Sequence, residues 1–451
     1  MSATVETSST PRLDGRYYKL FTASVISNLG DGVGMVAYPW LASAVTRDPV
    51  LIALVFAAQR LPWLVFTLPA GVITDRVDRR KAMVAMDLCR FGLTLAVAFA
   101  VLGRQDSLPD PGELDAVTGT QTGLYLIVLL ATLLLGMAEV LRDNSGQTMM
   151  PALVDKSQLE KANGRMWSAE GVANQFAGPP LGSLLLAVAF SLPFFLDAAS
   201  FFVAGALVFL IPGTFRPDGH ETRESKPWRV ELAEGFRWLW GHSLLRPMAI
   251  ILGIMNAASM IFFSTFVLFA QEVLDVGPLL FSVIGFGGAI GGVVGGFVTA
   301  QVTRRFGAGT CLSLTLIGTA VVTALIGLSS HWVPVLVLFA LMSLLGILWN
   351  VITVSLRQSI IPSQLLGRVN SVYRFFAWGM MPIGAAIGGV TVVVVDTFAS
   401  RDWALRATWL VCAAIYVWLY VWGRASLTTE RLEAARAEGA LSSPASGDAT
   451  P

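Results

Sequence analysis

The sequence predicts an all-α membrane protein whose twelve transmembrane helices form two pseudo-symmetric six-helix bundles. Composition, the spacing of apolar runs and an internal repeat carry this. Apolar residues make up 55% of the chain and charged residues 14%, where a soluble domain carries about 25% charged. A spanning helix needs about 20 mainly apolar residues, so 451 residues hold about twelve with short loops and two tails. A net charge of +1 argues against a nucleic-acid partner.

Apolar stretches run over 20–44, 51–73, 82–102, 123–147, 166–188, 192–212, 247–271, 279–302, 309–329, 332–356, 371–395 and 404–423. They divide the chain into a tail (1–19), a first bundle (20–211), a polar central loop (212–246), a second bundle (247–423) and a tail (424–451) whose Ala, Glu, Ser and Pro content predicts disorder. No apolar h-region precedes Lys19, so no cleavable signal peptide is expected and the first span directs insertion. Cys89, Cys311 and Cys412 lie in apolar runs without metal-ligand spacing and read as small buried hydrophobes.

Basic residues set the orientation, because short cytoplasmic loops are enriched in Lys and Arg. One alternate set of segments holds Arg12, Arg16 and Lys19, then Arg76, Arg79, Arg80 and Lys81, then Lys156, Lys161 and Arg165, the central loop, Arg304 and Arg305, Arg368, and Arg424. The opposite set holds Arg47, Arg104, Arg401 and Arg406 beside the acids Asp106, Asp110, Glu113, Asp115, Glu272, Asp275 and Asp402. Both termini and the central loop are therefore expected in the cytoplasm, with the body in a bacterial inner membrane. In the central loop, Trp228, Val230, Leu232, Phe236, Trp238, Leu239 and Trp240 alternate with Arg229, Glu231, Glu234 and Arg237, which predicts an interfacial amphipathic helix.

The repeat relates QTMMPALVDKSQLEKANGRMWS, from Gln147, to QSIIPSQLLGRVNSVYRF, from Gln358. Pro151 matches Pro362, and Asn163 matches Asn370 across a gap. Each copy follows the fourth span of its half, as in parallel repeats related by an axis along the membrane normal.

Between the second and third spans the chain reads Gly71-Val-Ile-Thr-Asp75-Arg76-Val-Asp78-Arg79-Arg80-Lys81. Gly71 would let two helices approach closely, and Asp75 can pair with Arg79. This loop resembles the signature loop of the major facilitator superfamily, except that Asp78 stands where the family usually has a second glycine. The resemblance implies the major facilitator fold and a conformational latch formed by Gly71, Asp75, Arg76, Arg79, Arg80 and Asp143. In the second half Arg304 and Arg305 persist but Ala300 occupies the acid position, so latching is expected to be asymmetric.

The fifth span reads Gly171-Val-Ala-Asn174-Gln-Phe-Ala-Gly178-Pro179-Pro180-Leu-Gly182. The glycines share one helix face and the prolines would bend it. It resembles the Gly-Pro motif of the superfamily's drug and proton antiporters, and small-residue packing alone would also account for it.

Ionisable residues inside spans are costly and mark functional candidates. Asp31 and Arg60 each lie about ten residues inside their spans, which puts both near the midplane and makes Arg60 a candidate partner for Asp31. Asp31 and Glu139 are the proton-coupling candidates, a structural ion pair being the alternative for each, with Arg90 named as the partner for Glu139. Asp87 and Arg90 are spaced i, i+3, as are Glu139 and Arg142. Cavity candidates are Asn28, Asn174, Asn256, Asn350, Trp349, Arg374 and Trp378, with Phe262, Phe263 and Phe266 as further aromatic surface.

No Gly-Lys dipeptide exists for a Walker A loop, His220, His242 and His331 all fall in loops, and no G-x-S-x-G element appears. The chain is thus expected to be no enzyme and to hold neither cofactor nor metal. With the start SNLGDGVGMVAYPWL, residues 15–425 look like the superfamily branch of macrolide and siderophore efflux proteins. That resemblance implies a monomeric proton antiporter exporting amphipathic small molecules by alternating access, with a small-molecule substrate, protons and the lipid bilayer as partners. Proton and sodium coupling are not separable at this stage. An uptake or lipid-translocating facilitator of the same fold, or a non-transporting sensor or intramembrane enzyme, are the alternatives.

Overall fold

A computed structural model of the chain describes residues 13–74, 76–110, 114, 117–216, 228–362 and 365–442. Its helices are α1 (Gly15–Val45), α2 (Pro49–Val65), α3 (Thr67–Thr74), α4 (Arg79–Leu102), α5 (Thr122–Met149), α6 (Leu159–Gly171), α7 (Gly178–Leu186), α8 (Leu192–Phe209) and α9 (Trp228–Gly241). They continue as α10 (Leu245–Phe263), α11 (Phe266–Glu272), α12 (Pro278–Phe306), α13 (Ala308–Leu328), α14 (Trp332–Ile360), α15 (Leu366–Asp396), α16 (Arg401–Gly423) and α17 (Thr429–Ser442). Among the described residues, ten helical stretches are long and apolar enough to cross a bilayer unaided. The second and fifth expected spans supply the other two crossings, and both are broken.

Proline accounts for both breaks, because its ring removes a donor and clashes with the carbonyl four residues back. Pro69 points that clash at Val65, where α2 ends before α3 resumes the path. In the fifth span Pro179 and Pro180 disturb the turn ahead of them, and Val172–Ala177 widens into a π-helix in which the Gly178 N–H donates to the Ala173 carbonyl. The break between α10 and α11 contains no proline. There the Ser264 hydroxyl donates to the Ile261 and Ala385 carbonyls and that of Thr265 to Phe262, an alternative to the helical ladder.

Contact density divides the chain into two units, which differ from the two halves expected on either side of the central loop. One comprises 1–37, 65–103 and 134–220; the other comprises 38–64, 104–133 and 221–451. The end of α1 and nearly all of α2 belong to the second unit because they pack on its helices. A Cβ on Gly389 of α15 would meet the Pro49 carbonyl oxygen at 2.8 Å, and Trp63 packs on Trp378 with centroids 4.8 Å apart. Helices in lipid gain little from burying apolar groups against each other, so close backbone approach does much of the holding. On α12 a Cβ at Gly291 would lie 1.8 Å from the Ala340 carbonyl oxygen of α14.

Three expectations change. The tail from Arg424, expected to be disordered, forms α17 over Thr429–Ser442, since its Ala, Glu, Leu and Arg favour helix. Thr429 seats it by accepting from the Gly309 N–H at 3.2 Å, and Leu427 and Leu432 are buried; 443–451 lies outside the described residues. Cys311 and Cys412 are buried as expected, but Cys89 is exposed on α4. A Cβ on Gly71 would meet none of the described atoms within 4 Å, so the close helix approach expected there is absent.

The central-loop segment forms α9, which docks on the start of α15. Arg368 donates to Glu234 at 2.6 Å, and Phe236, Trp240 and Phe376 stack. Residues 217–227, including His220, lie outside the described residues.

Asp78, the departure from the signature loop, is the N-cap of α4. With φ −66° and ψ 117° it accepts from the Lys81 N–H at 3.1 Å and the Phe215 N–H at 3.0 Å. Burial alone would raise its pKa, but the backbone N–H groups of Lys81 and Phe215 outweigh burial and hold the carboxyl below the usual carboxylate range. Asp78→Ala is expected to destabilise the purified protein by about 1 kcal/mol at neutral pH. Because the native carboxyl is the stronger acid, its contribution is complete above the unfolded value near 4 and is lost as pH falls further. Thermal unfolding of both proteins at pH 7 and pH 3.5 measures this, and an equal gap at both pH values would count against the charged cap.

Candidate functional site

A network of buried charges in the first unit joins α1, α4, α5 and α8. At its centre is Arg90 of α4, whose side chain is 3% exposed. Its guanidinium binds Asp31 of α1 through Nη2 and donates through Nη1 to Ser27 Oγ at 3.1 Å. The same nitrogen lies 3.8 Å from Asp87 Oδ1, one turn back on α4. Asp87, 0% exposed, also accepts from Arg142 Nε of α5 at 3.3 Å, and Arg142 Nη1 lies 3.5 Å from Asp143 Oδ1. Glu139 of α5 and Asp197 of α8 lie within electrostatic range of Arg90. The ring of Phe201, one turn beyond Asp197, covers the guanidinium at 3.8 Å.

Local sequence explains these placements. Asp87 and Arg90, and Glu139 and Arg142, sit at i, i+3, so each pair lies on one face of its helix. The α1 backbone approaches α8 because residue 30 is glycine: a Cβ there would fall 2.0 Å from Ser200 Oγ and 2.5 Å from Asp197 Oδ1. Close packing also joins α1 to the fifth-span motif. A Cβ on Gly178 would meet Gly32 Cα at 2.5 Å, and one on Gly182 would meet the Val33 carbonyl oxygen at 2.7 Å. Gly171, whose Cβ would meet nothing within 4 Å, takes no part in that packing.

Five carboxyls (Asp31, Asp87, Glu139, Asp143 and Asp197) thus surround two guanidiniums, Arg90 and Arg142. If all were ionised, the cluster would carry a large negative surplus in a desolvated region, which is costly. Such a site suits taking up protons or attracting a cationic group. Beside it, Ser24 donates to Glu170 Oε1 at 2.5 Å, Asn28 Nδ2 to the Ser24 carbonyl at 3.0 Å, and Asn174 Nδ2 to the Asn28 carbonyl at 3.5 Å. Between α1 and α6, an apolar cleft of about 850 Å³ is lined by Tyr17, Tyr18, Phe21, Leu29 and Val172, with Arg165 at its polar edge.

The structure redistributes several expected partners. Asp31 meets Arg90, in place of the Arg60 expected from depth alone. Depth along a helix does not specify azimuth, and Arg60 falls in the other unit. Of the latch residues, Asp75 lies outside the described residues. Arg79 donates to the Thr148 carbonyl at 3.1 Å and Arg80 to that of Ile211 at 2.7 Å, while Arg76 is exposed. Asp143 pairs with Arg142 and so belongs to the deeper cluster.

In the second unit, Asn256 braces α10 to α15 by donating to the Ala377 carbonyl at 2.8 Å. Asn350 and Arg374 are exposed and Trp378 meets Trp63. Trp349, Phe262 and Phe266 are buried, Phe262 stacking on Trp409 at 4.0 Å, so these aromatics form packing core, the commoner role for such residues.

Two groups escaped the sequence reading. Asp197 and Glu170 went unnoticed because a single acid in an apolar run carries no spacing signal. A second ion-pair cluster ties distant loops of the second unit. Arg47, after α1, binds Glu272 at the end of α11 and donates to Gln271 at 2.6 Å. Arg401 reaches Glu272 at 2.9 Å and the Arg47 carbonyl at 3.0 Å.

Comparison with known proteins agrees with this architecture. The sequence profile described as the Major Facilitator Superfamily matches residues 20–389. The multidrug efflux pump Tap of Mycobacterium tuberculosis (strain ATCC 25618 / H37Rv) is 24% identical over 393 residues, covering 83% of this chain and 86% of that one. The enterobactin exporter EntS of Shigella boydii serotype 4 (strain Sb227) is 26% identical over 394 residues, covering 85% and 86%. Among solved structures, a bacterial homologue of the human lysosomal transporter Spinster, inward-facing and unoccupied, superposes with a TM-score of 0.68 at 13% identity, covering 95% of this chain and 99% of that one. The nucleoside transporter NupG superposes with 0.67 at 11%, covering 92% and 100%.

Replacing Arg90 by Met strips Asp31 and Asp87 of a buried cation and is expected to destabilise the protein by about 3 kcal/mol, as loss of one partner of a buried pair does. Adding Asp87→Asn should restore part of the loss. Thermal unfolding in detergent measures both, and an unchanged midpoint in the single variant would remove Arg90 from the centre of the cluster.

Proposed function

Because this chain belongs to the major facilitator superfamily, we propose that it is a secondary active transporter that exports amphipathic small molecules from bacteria in exchange for protons. The carrying observation is the excess of carboxyls over guanidiniums around Arg90, in helices that cross the membrane. A net-acidic, partly buried cluster has no structural advantage over an apolar one of the same volume, and it is what a proton-exchange site requires. Asp31 and Glu139 take protons from the outside, and neutralising Asp31 weakens its hold on Arg90.

Export as the direction is supported by the printed functions of Tap and EntS, both efflux proteins matched over most of this chain. An amphipathic cargo suits the cleft between α1 and α6, whose size falls in the range of small-molecule sites, about 300–1,000 Å³. Its apolar rings can hold any flat lipophilic body, while Arg165 and Ser168 supply the polar edge.

Alternating access follows from the same parts. The Arg47, Glu272 and Arg401 cluster lies on the face that the charge asymmetry places outside, and it joins the end of the first span to the seventh and to the link between the eleventh and twelfth. Release of cargo to the outside requires this clasp to part. Both termini lie in the cytoplasm, and the protein acts in the inner membrane as a monomer. The loop at Asp78 and Arg79 keeps the cytoplasmic ends of α4 and α5 together through the cycle.

Everted membrane vesicles test this with ethidium as the probe. Imposing an inside-acid gradient should drive ethidium accumulation in vesicles containing the wild-type protein. Asp31→Asn and Glu139→Gln are each expected to lower that accumulation by about tenfold, within the range for coupled sites. Accumulation that ignores the pH gradient, or survives both substitutions, contradicts the assignment. Glu272→Gln should raise the rate of ethidium exchange, since opening then breaks two ion pairs fewer.

A further inference from the structure

One group in the charge network has no role so far. Asp197 of α8 is 3% exposed, and its Oδ1 has no hydrogen-bond partner. The donors around it are committed elsewhere. Ser200 Oγ donates to the backbone carbonyl of Asp197 at 2.7 Å and leaves the carboxyl alone. Arg90 gives Nη2 to Asp31 and Nη1 to Ser27. Yet Arg90 Nε is itself buried without a partner. An orphan acceptor and an orphan donor thus sit in one cluster, both beside Phe201, whose ring covers the guanidinium from the helix that carries Asp197.

We propose that Asp31 and Asp197 are alternating partners of the single guanidinium of Arg90, and that a proton occupies whichever carboxyl Arg90 does not hold. In the arrangement seen, Arg90 holds Asp31 as the carboxylate and Asp197 is the neutral acid. A carboxylate at Asp197 would be desolvated with no donor in return, and the acid is the form that fits. When Asp31, 29% exposed along its side chain and thus within reach of water, takes up a proton, it gives up its charge-assisted bond to Arg90. The guanidinium then turns about its stem toward Asp197, whose O–H bond breaks and passes its proton to water as the new ion pair forms. One proton is gained at Asp31 and one lost at Asp197, so the cluster keeps its charge.

Every element packed on Asp197 fits this account. From α1 come Asp31 and Ser27, with Gly30 leaving the space in which Asp197 Oδ1 lies. Asp87 on α4 and Glu139, Arg142 and Asp143 on α5 complete the charged surroundings, and Asp87 anchors Arg90 in either position. The segment α7 brings no titratable side chain to α8. The phenyl ring of Phe201 gives the guanidinium a flat surface over which to turn, so the cation keeps a favourable contact between its two partners.

This inference deepens the antiport reading and rests on it for its place in the transport cycle. It is tested without substrate by infrared titration of the purified full-length protein in detergent between pH 5 and pH 9. Wild type should show, at pH 7, a protonated-carboxyl C=O absorption that disappears in Asp197→Asn. In Asp31→Asn, where Asp197 is intact but Arg90 has lost its first partner, the same absorption should also disappear, because Arg90 moves to Asp197. Persistence of the absorption in Asp197→Asn overturns the assignment of the proton, and persistence in Asp31→Asn overturns the alternation.

A merely structural role for Asp197 is separated by transport in proteoliposomes. Asp197→Asn is expected to lose about tenfold in proton-driven ethidium accumulation while retaining ethidium exchange without a gradient. Loss of both together would overturn the proposal in favour of a packing role. Wild-type accumulation that ignores the pH gradient would sink the antiport reading and, with it, Asp197 as a coupling group. An unaltered infrared spectrum sinks the present inference alone.

Discussion

Arg90 has to satisfy more carboxylates than one guanidinium can, and the first unit is organised around that constraint. Its two terminal nitrogens reach Asp31, Ser27 and Asp87, while the carboxyls of Asp197 and Glu139 lie within electrostatic range. A buried cation needs such partners, because the cost of taking it out of water is recovered only through well-placed charge and hydrogen bonds. Several distant features serve this one contact. Gly30 lets α1 approach α8, Gly32 lets it meet Gly178, and Gly182 lies against Val33. With larger residues there, α1 would stand away and Asp31 would lose its partner.

The fifth-span motif shows how one sequence feature can have two physical consequences. Gly178 and Gly182 pack against α1, the behaviour of small residues at any helix interface in lipid. Its prolines widen the preceding turn into a π-helix over Val172–Ala177, next to Glu170 and the cleft between α1 and α6. Loosened backbone at this point is an inexpensive place for the helix to bend. Packing and movement are therefore properties of the same few residues, and a motif of export proteins can also be a motif of close packing.

The second unit is held differently. Aromatic rings around Trp409 and glycine contacts along α12 and α15 supply its cohesion, and few charges lie inside it. The buried cation Arg406 is a helix-end device, satisfied by the Gly327 and Ser329 carbonyls, Ser330 and Asp402. The acids buried in the first unit have no counterpart among the described spans here.

What the sequence determined by itself was the set of properties that depend on local composition. Helix-rich membrane architecture, the approximate limits of each span, the repeat, the amphipathic α9 and the presence of Asp31, Asp87, Arg90 and Glu139 as charges within spans all follow from hydropathy, spacing and the cost of charge in lipid. The tail at α17 was misread because its short Leu pattern, Leu427 and Leu432, is meaningful only once Gly307 and Gly309 provide a surface. Tertiary structure alone decided who meets whom. Depth along a helix can be counted in residues, but azimuth and neighbour cannot, so Asp31 went to Arg90, Asp143 to Arg142, and Asp197 came into the cluster unannounced. Ion pairs between helices depend on how the helices rotate against one another, and that rotation is set by packing over their whole length.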